Sequence, residues 1–258
     1  MSRSQPANEN PAKRFFRWSG SKGQLAYWDK ELKKDIPVKL PFEFLVLDQL
    51  ATITGYSDQD SSGFWSNEVR STKRDPFTVK TSAGTKEVGL YADLAESRSK
   101  GAKYAQSIYM SFKENEEDGF VIGNIKASGA CLNAWIELSK KCAIGNGKVR
   151  LTGSIEGKKG RNTYQIPVFE WDHSEDDEDK IAIELDKELQ VYLSQYLSKN
   201  ATSDDEAWPS KQVDDIVETN VPDSENDDEA QEAIAKAVSK NIDDMVEGEK
   251  LSIEDVPF

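Results

Sequence analysis

Unpaired bases and phosphates are recognised by different side chains, and this sequence interleaves the two kinds. Phe15-Phe16-Arg17-Trp18 leads into Lys22, Tyr27, Trp28 and Lys30; Phe64 and Trp65 precede Arg70, Lys73 and Arg74; Lys158, Lys159 and Arg161 precede Tyr164. Aromatic faces stack on bases at roughly 1–3 kcal/mol each, while Lys and Arg track the phosphates. The candidate contacts to a single nucleic-acid strand are therefore Arg17, Trp18, Lys22, Tyr27, Trp28, Phe64, Trp65, Arg70, Lys73, Arg74, Lys158, Lys159, Arg161 and Tyr164. Each aromatic could instead serve the core. Trp135, on a helix face, is read as core, whereas Trp18, Trp28 and Trp65, each near a cation, are open to both roles.

Catalytic chemistry is harder to assemble. The only histidine, His173, sits among solvated acids, so an imidazole base beside a nucleophile has little support. Gly145-Asn146-Gly147-Lys148 has the look of a phosphate loop, but Cys142 stands where that motif needs Gly and Val149 where it needs Ser or Thr. Glu114, Glu116, Glu117 and Asp118 precede Gly119 and read as a solvated turn rather than a metal site. Cys131 and Cys142 are too few for a zinc cluster and read as buried thiols. The expectation is a protein that is not an enzyme and carries neither cofactor nor metal.

Charge is divided along the chain. Of its 258 residues, 201–258 hold 18 acids against 4 lysines, which equals the whole formal charge of −14. Residues 172–200 add 9 acids and 3 lysines, leaving 26 basic against 20 acidic residues in 1–171. A basic body joined to an acidic tail fits a protein that meets nucleic acid with one part and proteins with the other. No window approaches the roughly 18 apolar residues of a membrane span. Met1-Ser2-Arg3-Ser4-Gln5-Pro6 lacks a signal-peptide core. A cytosolic location is expected.

The elements that must position these residues are mostly strands. Residues 1–13 are polar and read as a disordered arm, with order beginning near Phe15. Phe42–Tyr56 is too long and too rich in β-branched and aromatic residues for a flat strand, and suits a bent barrel strand. Strands are predicted at Phe64–Val69, Phe77–Thr81, Lys86–Tyr91, Lys103–Phe112 and Phe120–Ala127. A helix at Gly129–Lys141 places Leu132, Trp135, Ile136 and Leu138 on one face. Lys148–Glu156 and Asn162–Glu170 then flank Gly157-Lys158-Lys159-Gly160-Arg161, a hairpin loop with three cations. Ile181–Lys199 is an amphipathic helix, read as packing on the body, and 201–258 is read as disordered, with a transient helix at Ala230–Val246. Strands, one inserted helix and two further strands predict a mainly β fold. Its expected form is an oligonucleotide-binding (OB) Greek-key barrel over 14–171, followed by an acidic turn and helix over 172–200.

The chain's last residues, Ile253-Glu254-Asp255-Val256-Pro257-Phe258, carry a resemblance to a known family. Asp255, Val256, Pro257 and Phe258 are similar to the C-terminal tip of bacterial single-stranded DNA-binding proteins, which end in acids followed by Ile-Pro-Phe or a close variant. Val256 stands in for Ile, and Lys250 and Ser252 interrupt the acids upstream. The body matches no motif of the standard bacterial domain and looks more like phage-encoded relatives that join an OB barrel to an acidic tail. The resemblance implies a phage-type or bacterial protein that coats single strands in replication, recombination or repair and recruits partner proteins through its tip. The setting it implies is the bacterial cytosol or the infected host cell.

Physics supports a role for the tip independently, because Phe258 joins a hydrophobic ring to a free carboxylate that a small basic-rimmed pocket can capture. Two other classes remain open on the sequence: an acidic interaction protein or DNA mimic acting on a DNA-binding partner, and a metal-dependent nuclease. Deleting Val256, Pro257 and Phe258 is expected to abolish capture of replication proteins from host lysate while leaving DNA affinity unchanged. Deleting 201–258 is expected to raise affinity at low salt by removing competing acids, an effect that vanishes at high salt. Filter binding at two salt concentrations with a lysate pull-down checks both.

Overall fold

In the computed structural model, residues 9–115 and 119–200 are described. They form a mainly β protein whose sheet strands are β1 (Arg14–Ser19), β2 (Gln24–Asp29), β3 (Lys34–Pro37), β4 (Phe42–Ser57), β5 (Ser62–Ser66), β6 (Phe77–Thr81), β7 (Gly84–Gly89), β8 (Ala102–Lys113), β9 (Phe120–Ser128), β10 (Lys148–Lys159) and β11 (Asn162–Asp172). Three α-helices are interspersed, α1 (Ala95–Ser99), α2 (Gly129–Lys141) and α3 (Asp176–Asn200). The strands join in one mixed sheet in the order β3-β2-β1-β9-β8-β4-β5-β6-β7, with β10 paired to β4 and β11 to β10. Among the described strands only β1 and β9 run parallel.

The long strand β4 organises this sheet. Its first residues pair with β10, its last with β5, and nearly its whole length with β8. A register shift between Val46 and Asp48 inserts one extra residue, a bulge that increases local twist and bend. At the other end Gly55 takes φ +135°, and a Cβ there would collide with the carbonyl of Gly101. The close approach of β4 to the start of β8 thus requires glycine.

The sheet separates two environments. On the inner face Phe16, Phe42, Phe44, Met110, Phe112 and Ile125 pack beneath α2. Trp135 of α2 lies fully buried there, stacked on Phe44 and edge-on to Phe169, with its indole Nε1 donating to Gln49 Oε1 at 2.9 Å. A satellite cluster of Phe64, Phe77, Val79 and Leu94 lies under β5, β6 and α1. On the outer face α3 sets Leu189 and Leu193 against Leu50, Tyr109 and Ile122. The C-terminal helix therefore packs on the sheet, and it begins at Asp176, earlier than its apolar stripe indicates.

Several expectations need correction. Residues 9–13, assigned to the disordered arm, are fastened: Ala12 is buried, Asn10 Nδ2 donates to Tyr109 Oη, and Lys13 N donates to Ile122 O. β1, β2 and β3 lie in a stretch not assigned to strands, because cations and turn residues between the aromatics blur the alternation. The hairpin loop shrinks to Gly160-Arg161, since Lys158 and Lys159 remain paired opposite Thr163 and Asn162. Val69 falls beyond β5 in an isolated bridge to Ala51, and Tyr91 in a short 3₁₀ turn. Residues 1–8, 116–118 and 201–258, including the predicted transient helix, lie outside the described residues.

Trp135→Ala should be the most damaging single truncation of the inner core. It leaves a large cavity and orphans the Gln49 amide, and is expected to cost about 3–5 kcal/mol. Urea unfolding, with a lowered midpoint and unchanged slope, checks this.

Candidate nucleic-acid interface

Of the aromatics proposed to stack on bases, three are spent on the core. Trp18 is buried and donates its indole Nε1 to Gln165 O at 2.9 Å. Phe64 is buried in the β5–β6 cluster, and Tyr164 is buried against Ala134 and Ile166. Strand alternation turned these rings inward, and sequence proximity to a cation said nothing about which face they occupy. Tyr27 is half-buried, edge-on to Phe16 and covered by the Arg14 guanidinium at 4.9 Å. Two of the proposed cations are neutralised. Arg17 pairs with Asp35 at 2.6 Å, and Arg70 forks onto both carboxylate oxygens of Asp48 at 2.7 Å while reaching Gln190 on α3. These two arginines act first as structural ties.

Residues on the outer face beside the C-terminal end of α3 come together differently. Thr54 of β4 lies opposite Lys103 of β8 on one side and Trp65 of β5 on the other, and Trp65 lies opposite Lys80 of β6. Directly opposed residues share a face, so one row across four strands reads Lys103, Thr54, Trp65, Lys80, with strands about 4.8 Å apart. Tyr56 is the diagonal neighbour of Trp65, because it opposes Gly63, and is 39% exposed. The result is a half-buried indole and an exposed phenol flanked by two ammonium groups. Lys80, Lys103 and Tyr56 escaped the sequence analysis, since only register sets Lys80 and Tyr56 beside Trp65 and Lys103 beyond Thr54 in the same row.

A cationic loop follows the same strand. Asn67 anchors it by donating from Nδ2 to Pro76 O and accepting from Thr78 N. Ser71 N donates to Asp75 Oδ2, and Arg74 N and Asp75 N return to Ser71 O. This self-closed turn presents Lys73 and Arg74 to solvent, and neither has an ion-pair partner among the described residues.

The remaining predicted residues form a separate group. Lys158 and Arg161 are exposed at the β10–β11 tip, where Gly160 takes φ +59°; Lys159 is half-buried. The β1–β2 turn bearing exposed Lys22 lies against β11, with Gln165 N donating to Gly20 O at 2.7 Å. Trp28 is half-buried opposite Asp35, between β1 and β3. The structure thus places Lys73 and Arg74 on the loop that follows Trp65's strand, and Lys22 with the β10–β11 hairpin, but joins the two groups by no strand pairing among the described residues. Asp255, Val256, Pro257 and Phe258 lie outside the described residues.

Beneath α3 lies a buried polar network. Glu68, 5% exposed, accepts from Tyr109 Oη at 2.9 Å, and its backbone N donates to Tyr196 Oη of α3 at 3.0 Å. Burial pushes the Glu68 carboxyl above its usual range, against the Ser107 and Tyr109 hydroxyls and the Lys126 charge that oppose the rise. Burial likewise pushes the Lys126 ammonium down, so both members of the pair lean toward their neutral forms. Asp48 behaves oppositely: burial would raise it, but hydrogen bonds from Arg70, Gln190 and Gln49 hold it below the ordinary range.

No catalytic constellation accompanies these groups among the described residues. Burial pushes the Cys131 thiol up to about 12, Cys142 is also raised by burial, and both are free thiols. His173 is exposed and rests edge-on to Trp171. Lys148, in the stretch that looked like a phosphate loop, pairs with Glu43 and Glu178. Among the described residues no group of His, Cys, Asp and Glu could hold a metal ion, and no helix is long and apolar enough to cross a membrane. Compared with family models, curated proteins and solved structures, the chain matches none.

The Glu68 environment predicts a pH signature. Its folded pKa lies above the unfolded value, so its contribution to stability is fully present at acid pH and is lost as pH rises through the folded pKa. Glu68→Gln keeps an acceptor for Tyr109 and removes the buried charge. The variant should be more stable than the parent at pH 7, with the difference shrinking as pH falls from the raised folded pKa towards the unfolded value of about 4.3 and gone below it. Paired urea titrations across pH check this, and a variant less stable at pH 7 would mean that the ionised pair with Lys126 prevails.

Proposed function

We propose that this chain is a non-enzymatic single-stranded DNA-binding protein whose body holds the strand and whose acidic tail recruits replication, recombination or repair proteins through Asp255, Val256, Pro257 and Phe258. The carrying observation is the cross-strand row Lys103, Thr54, Trp65, Lys80, with Tyr56 beside it and the solvent-facing Lys73–Arg74 turn in the loop that follows β5. A ring offers its face to a base of any identity, and flanking ammonium groups meet the phosphates on either side. Binding of this kind has little sequence preference.

An OB-like Greek-key body is supported by the pairing order. β4 pairs with β8, β8 with β9, α2 follows, β10 returns to β4, and β11 closes a hairpin with β10. The bonds from Gln165 N to Gly20 O and from Trp18 Nε1 to Gln165 O draw β11 toward β1, which lies against β9. Curling of this sort is what a partly open barrel requires. Lys22, Lys158 and Arg161, gathered near that seam, form a secondary phosphate track.

The rival reading is an acidic interaction protein or DNA mimic, favoured by the acids of 172–200 and 201–258. The two separate on a simple measurement. The proposed protein shifts a labelled oligothymidylate, quenches its own tryptophan fluorescence on binding and loses affinity as salt rises; a mimic leaves the oligonucleotide unshifted.

Trp65→Ala should weaken oligothymidylate binding by about tenfold, within the roughly 1–3 kcal/mol of one stacked base, and remove much of the fluorescence quenching. Replacing Lys73 and Arg74 with alanine should reduce the slope of log affinity against log salt by about 1.4, at roughly 0.7 for each phosphate contact. Titrations at several salt concentrations read both effects. An unchanged affinity and slope in folded variants would move the interface away from this face.

A further inference from the structure

We infer that the sheet face beneath α3 is itself a strand-binding surface, which the acidic helix α3 occupies when no nucleic acid is bound. The inference rests on the proposed single-strand binding and extends the interface across the middle of the sheet.

Continuity of the outer face is the first ground. On one side of α3 it carries Trp65, Lys80 and Lys103; on the other, register sets Arg17 of β1 opposite Lys126 of β9, with Trp28 on the same face of β2. A strand running from one group to the other must cross β9, β8 and β4 where α3 now lies.

The covered surface is also unusually polar. Ser107, Ser111, Asn124 and Glu68 are all buried there, and Asn124 Nδ2 donates to Ser107 Oγ at 2.6 Å. Ser111 Oγ is buried with no hydrogen-bond partner among the described residues. A face meant to remain permanently covered would gain more from apolar side chains, since each buried polar group needs a partner. Hydroxyls, an amide, a phenol and the Lys126 amine instead suit sugar and phosphate oxygens.

Finally, α3 is held by polar latches as well as by apolar burial. Among its described residues Leu189 and Leu193 are fully buried, with Leu185 and Tyr192 packed beside them, and the helix is also tied by Lys148–Glu178 near its start, by Gln190 with Asp48 and Arg70 at its middle, and by Tyr196 Oη on Glu68 N near its end. Between Asp176 and Asn200 it bears seven acids and three lysines. Glu178 and Asp186 direct their charge at Lys148 and Arg70, as a phosphate would. Strand and helix thus compete for Lys148, whereas Arg70 stays paired with Asp48.

Hydrogen exchange on the full chain, with and without saturating oligothymidylate, tests this directly. The expected result is faster exchange of the α3 amides around 185–197 in the complex, together with new protection at Ser107 and Lys126. In a second arm, the double variant Gln190→Ala, Tyr196→Phe loosens two latches and should bind oligothymidylate about threefold to tenfold more tightly, the worth of one or two net hydrogen bonds. If α3 amides keep or gain protection while the oligonucleotide is bound, the inference is overturned and the proposed function stands. A folded double variant that binds no more tightly overturns it likewise. If neither protein binds oligothymidylate at any salt concentration, the proposed function fails and this inference falls with it.

Discussion

The pairing of β4 with three different partners is the constraint on which the rest of the molecule depends. A strand of sixteen residues cannot stay flat while it joins β10 at one end, β5 at the other and β8 along most of its length. The extra residue between Val46 and Asp48 bends it and restores the inward orientation of every second side chain after the bend. As a result Phe42, Phe44 and Val46 before the bulge, and Gln49, Ala51 and Ile53 after it, face one side. Asp48, Leu50, Thr52 and Thr54 face the other. A one-residue change in that register would exchange the two sets.

From this division the energetics of the two faces diverge. The inner face is an aromatic core in which Phe16, Phe42 and Phe112 meet at centroid separations of 5.1–5.7 Å, and Trp135 closes one end with its only polar atom satisfied by Gln49. It is fitted for stability. The outer face mixes leucines with hydroxyls, amides and charges and is held by ion pairs of the kind Arg70 makes with Asp48. Packing of the first kind is difficult to undo, whereas contacts of the second kind exchange readily for equivalent contacts to a ligand. The proposed strand recognition is assigned to the outer face for that reason.

The cations and aromatics of the proposed interface illustrate how a strand sorts composition between two faces. Phe64 and Trp65 are chain neighbours, yet one is buried with Phe77 and the other stands between two lysines, because successive strand residues point to opposite sides. Arg70 and Arg74 differ as sharply. Arg70 lies across from Asp48 and is consumed by it, while Arg74 sits on a turn whose only acid, Asp75, is engaged with the backbone of Ser71. Charge that can be offered to a ligand is charge left over after the fold has paired the rest.

By itself the sequence determined the β-rich body, the long bent strand from Phe42, the helix around Trp135, the amphipathic C-terminal helix and the polarised charge. Each of these is a local property: periodicity, propensity and composition act over a few residues and need no knowledge of distant partners. It also singled out Trp65, Lys73 and Arg74, which lie on β5 and on the loop that follows it. Only tertiary structure decided that β1 runs beside β9, that Lys80 and Lys103 flank Trp65, that Trp18 and Tyr164 are core, and that Glu68 lies buried against Tyr109 and Tyr196. Those outcomes depend on strand register and on pairing between residues as far apart as 147 positions, which no local pattern encodes. Which face a side chain occupies is set by its distant partners.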